Sequence, residues 1–186
     1  VWQVHGTEVV VPEKPREPLG HYYQADAIVT DKITYTMVMR FADCVPILLY
    51  DPVKHVGGTA HAGWQGTVKK TVSYAVKKLY MNLGVKPENI LAGIGPSIGP
   101  DHYEVGDNVI KAVKTQYPND WQKMIELFNK KTHFNLWEAN YHNLVECGVK
   151  QIEIAELCTA CNTNEWYSHR KENGKTGRFA TVFKLL

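Results

Sequence analysis

Two short apolar runs with one turn between them, within residues 41–66, constrain the fold of this chain most. The runs are Val45–Tyr50 and Val56–Ala60, and an Asp-Pro turn separates them. Apolar runs of this length, bounded by turn residues, are typical of strands buried on both faces. If the two strands pair as a hairpin, the residue before the first lies near the residue after the second. Those residues are Cys44 and His61, so the sequence predicts a thiol and an imidazole together at a strand end, beside glycine-rich backbone.

Composition excludes several classes of protein. The chain has 186 residues, of which 44% are hydrophobic and 22% charged, which is ordinary for a globular protein with a sizeable core. A net charge of +2, from 21 basic and 19 acidic residues without a dense basic block, predicts no nucleic-acid partner. No apolar run approaches the roughly 20 residues that a membrane span needs, so we predict no membrane association.

The four cysteines do not form the framework of a disulfide-rich protein. They are typical of a reducing compartment, and we therefore predict a cytoplasmic protein. Cys158 and Cys161 form a CxxC motif, but no second CxxC or HxxxH completes a zinc knuckle. For this pair we favour a packing or loop role over a metal or redox role.

The mixture of patterns predicts an α+β fold. Val1–Val11 has the pattern of a strand, residues 13–20 that of a proline-rich surface loop, and Gln65–Leu83 that of one amphipathic helix ended by Gly84. Trp121–Asn129 is also predicted to be helical. Strands and helices do not alternate strictly, which favours an α+β sandwich with a mixed sheet flanked by helices over a doubly wound fold.

We predict one domain over residues 1–186, because no linker, repeat or low-complexity segment interrupts the chain. The sequence opens without Met, directly on a strand-like segment. We therefore expect an N-terminal portion of the natural protein to be missing here.

His5, Cys44 and His61 are the residues we expect to carry the chemistry, both as metal ligands and as the catalytic centre. Each lies at a predicted strand end or beside a glycine, where the backbone leaves room for a ligand. Zinc accepts imidazole and thiolate together, and a catalytic zinc keeps three protein ligands with a fourth position open. From spacing alone, a buried free cysteine and two unrelated histidines would explain the same residues.

Six motifs, in order along the whole chain, favour the metal site over unrelated residues. They are QVHG at 3–6, ADAIVTD at 25–31, ADCVPILLYD at 42–51, HAGWQG at 61–66, GIGPSIGPDHYEVG at 93–106 and SHRKENGKTGR at 168–178. Together they make the chain resemble the laccase-domain family, first described as multicopper polyphenol oxidases and now regarded as purine nucleoside phosphorylases. Members usually carry more chain before QVHG, in agreement with a missing N-terminal portion.

The resemblance implies that His5, Cys44 and His61 bind one zinc ion per chain. It also implies phosphorolysis of adenosine, inosine, guanosine and methylthioadenosine, together with deamination of adenosine. Purine nucleosides and phosphate are therefore the expected partners. The chain departs from the family pattern at Gln65, where Arg is common, and in SHRK, where SYRR is common.

Phosphate and nucleoside contacts are expected on three segments. Gly63 and Gln65 lie where the HAGWQG turn enters a predicted helix, whose N–H groups and dipole favour an anion. Arg170 is expected to bind phosphate in a bidentate manner. Tyr103, in the glycine-rich loop, is available for stacking or hydrogen bonding to the nucleoside.

Four alternatives exist at this stage, and the residues disfavour two of them. A copper polyphenol oxidase is disfavoured because the eight histidines contain no HxH pair. A deaminase of the usual zinc type is disfavoured because Leu157 precedes the CxxC, where that family has proline. A metal-free hydrolase would use Cys44 as nucleophile and His61 as base. A non-catalytic, zinc-stabilised interaction domain would close the site with a fourth ligand, for which only the CxxC offers thiols.

Overall fold

The structure is a computed structural model that describes residues 1–17 and 20–186. The strands are β1 Val9–Val10, β2 Ala27–Thr30, β3 Thr36–Phe41, β4 Val45–Asp51, β5 Val56–Ala62, β6 Leu91–Ile94, β7 Ile125–Phe128, β8 Lys131–Phe134, β9 Gln151–Ile154 and β10 Phe179–Lys184. The helices are α1 Trp64–Val68, α2 Thr71–Leu83, α3 Asp107–Gln116, α4 Trp121–Met124 and α5 Leu136–Glu146. Of the predicted loop at residues 13–20, positions 18 and 19 lie outside the described residues, and the others contain no helix or strand.

A six-stranded mixed sheet forms the centre of the fold, with strand order β1-β2-β5-β4-β6-β9. The predicted hairpin is confirmed as β4 and β5, which pair antiparallel with Val45 opposite Ala62. All seven residues of β5 are buried, whereas β4 exposes Leu48 on one face. The α+β class and the mixed sheet are therefore confirmed.

The helices cover one face of this sheet through a continuous apolar core. Val72, Val76 and Leu79 of α2 are buried against the sheet, and Leu136 and Leu144 of α5 join the same cluster. The predicted helix from Gln65 to Leu83 is, however, two helices. The chain breaks where Lys70 adopts a left-handed backbone conformation with φ of 62°.

A second pair of strands completes a sandwich on the other side of β5. β3 and β10 pair antiparallel and pack Met37, Met39 and Phe41 toward Ile28 of β2. Gly57 of β5 allows this close approach, since a Cβ atom there would lie 2.5 Å from the Phe183 ring. The two sheets are thus in direct contact without an intervening helix.

Two predicted elements are wrong in type or extent. The segment Val1–Val11 is a strand only at β1, because His5 has a positive φ and Trp2 forms a single bridge to Gln24. The segment 121–129 is helical only over α4, after which it pairs as β7 with β8, a strand that periodicity did not indicate. Within the described residues, no helix is both long enough and apolar enough to cross a membrane.

Candidate functional site

The β4–β5 hairpin and the N-terminal segment bring three predicted ligands together. Cys44 directly precedes β4, His61 is the penultimate residue of β5, and His5 approaches from the irregular segment before β1. The Sγ of Cys44 lies 3.8 Å from Nε2 of His5, and one ligand atom from each residue lies within 4.8 Å of the other two. Ligands at the usual zinc bond lengths on a tetrahedron lie about 3.5 Å apart. The cluster therefore has the donor types and the spacing of a metal site.

Burial across the cluster is graded. His61 is buried, Cys44 is half-buried and His5 is exposed. The rings of His5 and His61 meet edge to face, with their centroids 4.9 Å apart. A metal ion held here would be accessible from the side of His5, as substrate binding requires.

Asp26 organises this site, although the residues alone did not single it out. Its carboxylate is fully buried and accepts a hydrogen bond of 2.8 Å from Nδ1–H of His61. It also accepts the backbone N–H groups of Val4, His5 and Gly6, at 2.7–3.1 Å. One carboxylate therefore orients the His61 ring with Nε2 available for a metal, and fixes the left-handed backbone at His5. Such outer contacts orient ligands and raise their basicity.

Electrostatics inside the cluster favour charged side chains. Burial by itself would raise the pKa of the Cys44 thiol, but the contacts with His5 and His61 outweigh it and lower the pKa to about 6. Burial would likewise lower the pKa of His61, but Asp26 and Cys44 raise it to about 9. Hydrogen bonds from His61 and the backbone also overcome burial and hold the pKa of Asp26 below its ordinary value. Without metal, both pKa shifts favour a thiolate beside an imidazolium.

Gly63 lies against the ligands rather than apart from them. A Cβ atom at Gly63 would approach the Cys44 Sγ to 2.8 Å and the His5 Cδ2 to 3.1 Å. Only glycine leaves this space free without moving a ligand. Gln65 lies two residues further on, half-buried in α1, and Gly63 itself is the N-cap of that helix. Because α1 has only five residues, its dipole is smaller than that of the single long helix predicted from the sequence.

Arg170 and Tyr103 lie together near Cys44. Asp43, which precedes Cys44 with φ of 79°, accepts the backbone N–H of Arg170 at 2.6 Å. The Arg170 guanidinium lies over the Tyr103 ring, 5.0 Å from its centroid, and donates to the Glu104 carbonyl at 2.7 Å. The structure therefore connects the loop of Arg170 to the turn that presents the thiol.

The half-buried Tyr103 ring already has two neighbours within the protein. Arg170 lies against its ring, and Phe134 also packs on it, with the two ring centroids 6.4 Å apart. Burial raises the pKa of Tyr103, so its hydroxyl stays neutral and able to donate. Stacking on the nucleoside and hydrogen bonding to it both stay predictions for Tyr103.

Cys158 and Cys161 do not close the His5–Cys44–His61 cluster. They form a separate group with Asp101 and His102, whose ligand atoms also lie within 4.8 Å of one another. Among the described residues, no fourth His, Cys, Asp or Glu completes the first cluster at that distance. An interaction domain stabilised by a CxxC-closed zinc at His5 is therefore not supported. All four cysteines are free.

Asp26 and Asp43 are the functional residues that pattern reading missed. Both occur in an Ala-Asp dipeptide beside a buried strand, ADA at 25–27 and FAD at 41–43. A carboxylate next to a wholly apolar run indicates a buried charge with specific partners, because a buried charge is stable only when it is paired or hydrogen-bonded. The sequence does not show which backbone groups supply those partners.

The fold and the site together define the class of protein. Residues 1–185 match the family model described as "Multi-copper polyphenol oxidoreductase laccase". The chain belongs to this family, which confirms the resemblance found in the motifs.

Particular members resemble the chain along most of its length. It is 36% identical to "Purine nucleoside phosphorylase" of Deinococcus radiodurans over 183 residues, covering 98% of this chain and 68% of that protein. It is 39% identical to "Purine nucleoside phosphorylase YlmD" of Bacillus subtilis, covering 86% of this chain and 58% of that protein. It is also 34% identical to "Adenosine deaminase RL5" of an unknown prokaryotic organism, covering 84% of this chain and 60% of that protein. The chain thus spans roughly two thirds or less of the length of these relatives.

A solved structure agrees with the fold. The crystal structure of YlmD from Geobacillus stearothermophilus superposes with a TM-score of 0.89 at 30% identity, covering 98% of this chain and 71% of that one.

Proposed function

We propose that this chain is the catalytic part of a zinc-dependent purine nucleoside phosphorylase that also deaminates adenosine. The observation that carries the proposal is the cluster of His5, Cys44 and His61, with three ligands and an exposed side. The expected substrates are adenosine, inosine, guanosine and methylthioadenosine, together with phosphate. The names of the relatives support this substrate class, and the free cysteines support our prediction of a cytoplasmic location.

Zinc fits the donor set better than copper does. Two imidazoles and one thiolate suit zinc, whose catalytic sites combine such ligands with an open position. The same donors occur in blue-copper sites, where Cys and a His usually come from one tight loop. Here Cys44 and His61 come from the two different strands of a hairpin, 17 positions apart in the sequence. When bound, zinc supplies a Lewis acid and lowers the pKa of coordinated water.

Each residue of the proposed site has a separate role. His5, Cys44 and His61 hold the metal, and Asp26 keeps His61 in the tautomer that leaves Nε2 free. Gly63 keeps the space beside the thiolate open, and Gln65 lies at the entry of α1 within reach of a bound anion. Arg170 offers charge-assisted hydrogen bonds to phosphate, and Tyr103 a neutral hydroxyl to the nucleoside.

Metal analysis and product analysis test this proposal. Protein purified without added metal should contain zinc at the cluster and little copper. With phosphate, adenosine or inosine should yield the free base and ribose 1-phosphate, and without phosphate adenosine should yield inosine. Oxygen-dependent oxidation of phenols by a copper-loaded protein, with neither purine product, would overturn the assignment.

Arg170→Ala tests the phosphate contact separately. Loss of a charge-assisted bidentate contact weakens binding by roughly 1.5–3 kcal/mol, so phosphorolysis should fall about ten- to a hundredfold. Zinc content and deamination should stay unchanged, because Arg170 touches Asp43 only through its backbone N–H. Arg178→Ala is the matched control, since its guanidinium donates only to carbonyls of its own loop among the contacts seen. Equal loss of both activities at full zinc content would show that Arg170 is not a phosphate ligand.

A metal-free hydrolase is the second candidate, and the lowered pKa of Cys44 favours it. A thiolate beside an imidazolium is the state that a nucleophilic cysteine requires. The two candidates respond oppositely to metal, because zinc would occupy the thiolate. Activity that survives chelation and disappears with zinc would favour the hydrolase.

A further inference from the structure

A second group of ligand-type side chains lies on two loops outside the first cluster. Asp101 and His102 belong to the glycine-rich loop after β6, and Cys158 and Cys161 to the turn after β9. Nδ1 of His102 lies 3.8 Å from the Sγ of Cys158 and 3.5 Å from the Sγ of Cys161. These distances match the separation of about 3.5 Å between ligands on a zinc tetrahedron.

The fourth member of the group completes a closed donor set. Oδ2 of Asp101 lies 2.8 Å from Nδ1 of His102 and 3.7 Å from the Sγ of Cys161. Two thiols and one imidazole are soft and borderline donors that suit zinc, and zinc also accepts a carboxylate oxygen. All four ligand atoms lie within 4.8 Å of one another. Four protein ligands leave no open position, which is the mark of a structural rather than a catalytic zinc site.

The backbone around these side chains already supports a metal–thiolate centre. The N–H of Gly99 donates to the Sγ of Cys158 at 3.2 Å, a contact that stabilises a thiolate. Asn162 closes the CxxC turn by donating to the carbonyl of Cys158 at 2.9 Å. Ser97 and Cys158 form an isolated parallel bridge, which holds the two loops side by side.

We propose that Asp101, His102, Cys158 and Cys161 form a second, structural zinc site. It would join the loop after β6 to the turn after β9. This assignment replaces the packing or loop role that the sequence favoured for the CxxC. It uses none of the ligands of the first cluster and does not depend on the proposed enzyme activity.

The second site lies on the two loops whose residues hold Asp43. Ile98 donates its N–H to the carbonyl of Asp43, and the Thr159 hydroxyl donates to the Asp43 carboxylate at 2.7 Å. Thr159 directly follows Cys158 within the CxxC, and Ile98 lies three residues before Asp101 in the loop after β6. The zinc would thus hold the two loops that fix Asp43, the residue directly before Cys44.

A catalytic role is less compatible with the surroundings. His102-Tyr103-Glu104 does match the H-x-E half of the signature of zinc-dependent base deaminases, whose Glu transfers protons. Here the Glu104 carboxylate is paired with Lys131 at 2.7 Å, and Asp101 occupies the position that substrate would need.

Metal content in a background without the first site tests the proposal. Cys44→Ser removes the only thiolate of the first cluster, and this protein should still bind about one zinc per chain. Adding Cys161→Ser should abolish that remaining zinc. Cys147→Ser is the matched control, because this half-buried cysteine belongs to neither cluster, and it should leave metal content at the wild-type value.

Cobalt substitution and thermal unfolding supply readouts that do not need activity. Co²⁺ in Cys44→Ser protein should give the charge-transfer absorption of thiolate ligands, and Cys161→Ser should weaken it. Chelation should lower the Tm of Cys44→Ser protein, since a ligand bound only by the folded state stabilises it. A Cys44→Ser protein that binds no zinc or cobalt while Cys158 and Cys161 react as free thiols would overturn the second site. If Cys161→Ser fails to fold, His102→Ala in the same background gives the same test.

Discussion

At the scale of single residues, Asp26 decides the geometry of the first cluster. Its carboxylate is fully buried, yet it meets four N–H donors, one from His61 and three from the backbone around His5. A buried charge is stable only with such compensation. The metal ligands themselves are ordinary residues, and it is this neighbour that gives them a fixed orientation.

Replacing Asp26 by Asn should weaken metal binding without removing a ligand. The amide keeps the shape but loses the charge, and one of its atoms becomes a donor facing backbone N–H groups. Loss of such an orienting contact typically lowers metal affinity about 10–100-fold, which competition with a chelator measures. Asp31→Asn is the control, since among the ion pairs of the described residues Asp31 pairs only with the exposed Lys32. Unchanged affinity in Asp26→Asn would show that the ligands orient themselves.

The pair of Cys44 and His61 also predicts how stability depends on pH in metal-free protein. The pKa of Cys44 falls from 9.0 to about 6, so its stabilising contribution is complete above pH 9.0 and is lost as pH falls toward about 6. The pKa of His61 rises from 6.5 to about 9, so its contribution is complete below pH 6.5 and is lost as pH rises through about 9. The two contributions to the free energy of unfolding change with pH in opposite directions. In the wild type they should nearly cancel between pH 6.5 and 9.

Cys44→Ser should reveal the slope of His61 alone. Asp26 still raises the pKa of His61 in this variant, although Cys44 no longer contributes, so the free energy of unfolding should decrease as pH rises above 6.5, as urea titrations with chelator present would show. The wild type, measured in parallel, should change little over the same range. A flat profile in both proteins would mean that Asp26 alone does not shift His61.

At the scale of elements, a buried polar network fixes α1 against its neighbours. The carbonyl of Thr67 accepts hydrogen bonds from the Tyr117 hydroxyl at 2.9 Å and from the Asn143 amide at 3.0 Å. The Tyr117 hydroxyl also lies 3.0 Å from Oδ1 of Asn143, so its one proton is shared between two acceptors, and Asn140 donates to the Thr67 hydroxyl. A helix as short as α1 is not stable by itself. The network therefore holds in place the helix that begins beside Gly63.

Asn143→Ala should destabilise the protein by this mechanism. It leaves the Tyr117 hydroxyl with one partner fewer and opens a small cavity, and an unmade buried hydrogen bond costs about 1–3 kcal/mol. Chemical unfolding measures the loss. Asn82→Ala provides the comparison, because Asn82 lies exposed on α2 and alanine is a better helix former there. Equal stability of the two variants would show that the network is dispensable.

At the scale of the whole molecule, the fold is a sandwich whose two sheets meet at glycine. Gly57 has no room for a side chain, since a Cβ atom would lie 2.5 Å and 2.9 Å from two atoms of the Phe183 ring. The β3–β10 pair therefore packs directly on β5. Phe41 of β3 reaches the His61 ring, with centroids 5.4 Å apart, so this contact also supports the site.

Gly57→Ala should lower stability by about 1–3 kcal/mol, the usual penalty for overpacking a close interface. Gly93→Ala is a matched control on β6 of the same sheet, where an added Cβ meets no atom within 4 Å. Thermal unfolding of the two variants gives the comparison. Stability of Gly57→Ala equal to that of Gly93→Ala would mean that β10 can move away without penalty.

The sequence by itself determined the elements that depend on local pattern. The β4–β5 hairpin, the α+β class and the meeting of His5, Cys44 and His61 followed from short apolar runs, turn residues and motifs. These features are visible because each rests on neighbours in the chain or on a recurring motif. The departures arose where long-range contacts override local pattern, as at Lys70, whose left-handed backbone divides a continuous amphipathic run.

Only the tertiary structure decided which distant side chains act together. Asp26 joins His5 and His61 across separate segments, and Asp43 links Cys44 to Arg170, 127 positions further along the chain. Cys161 likewise meets His102 across 59 positions, so a CxxC motif that is weak as a pattern becomes one half of a four-ligand group. Residue types and spacing carry no information about such contacts, because the packing of sheets and loops brings these residues together only in the folded state.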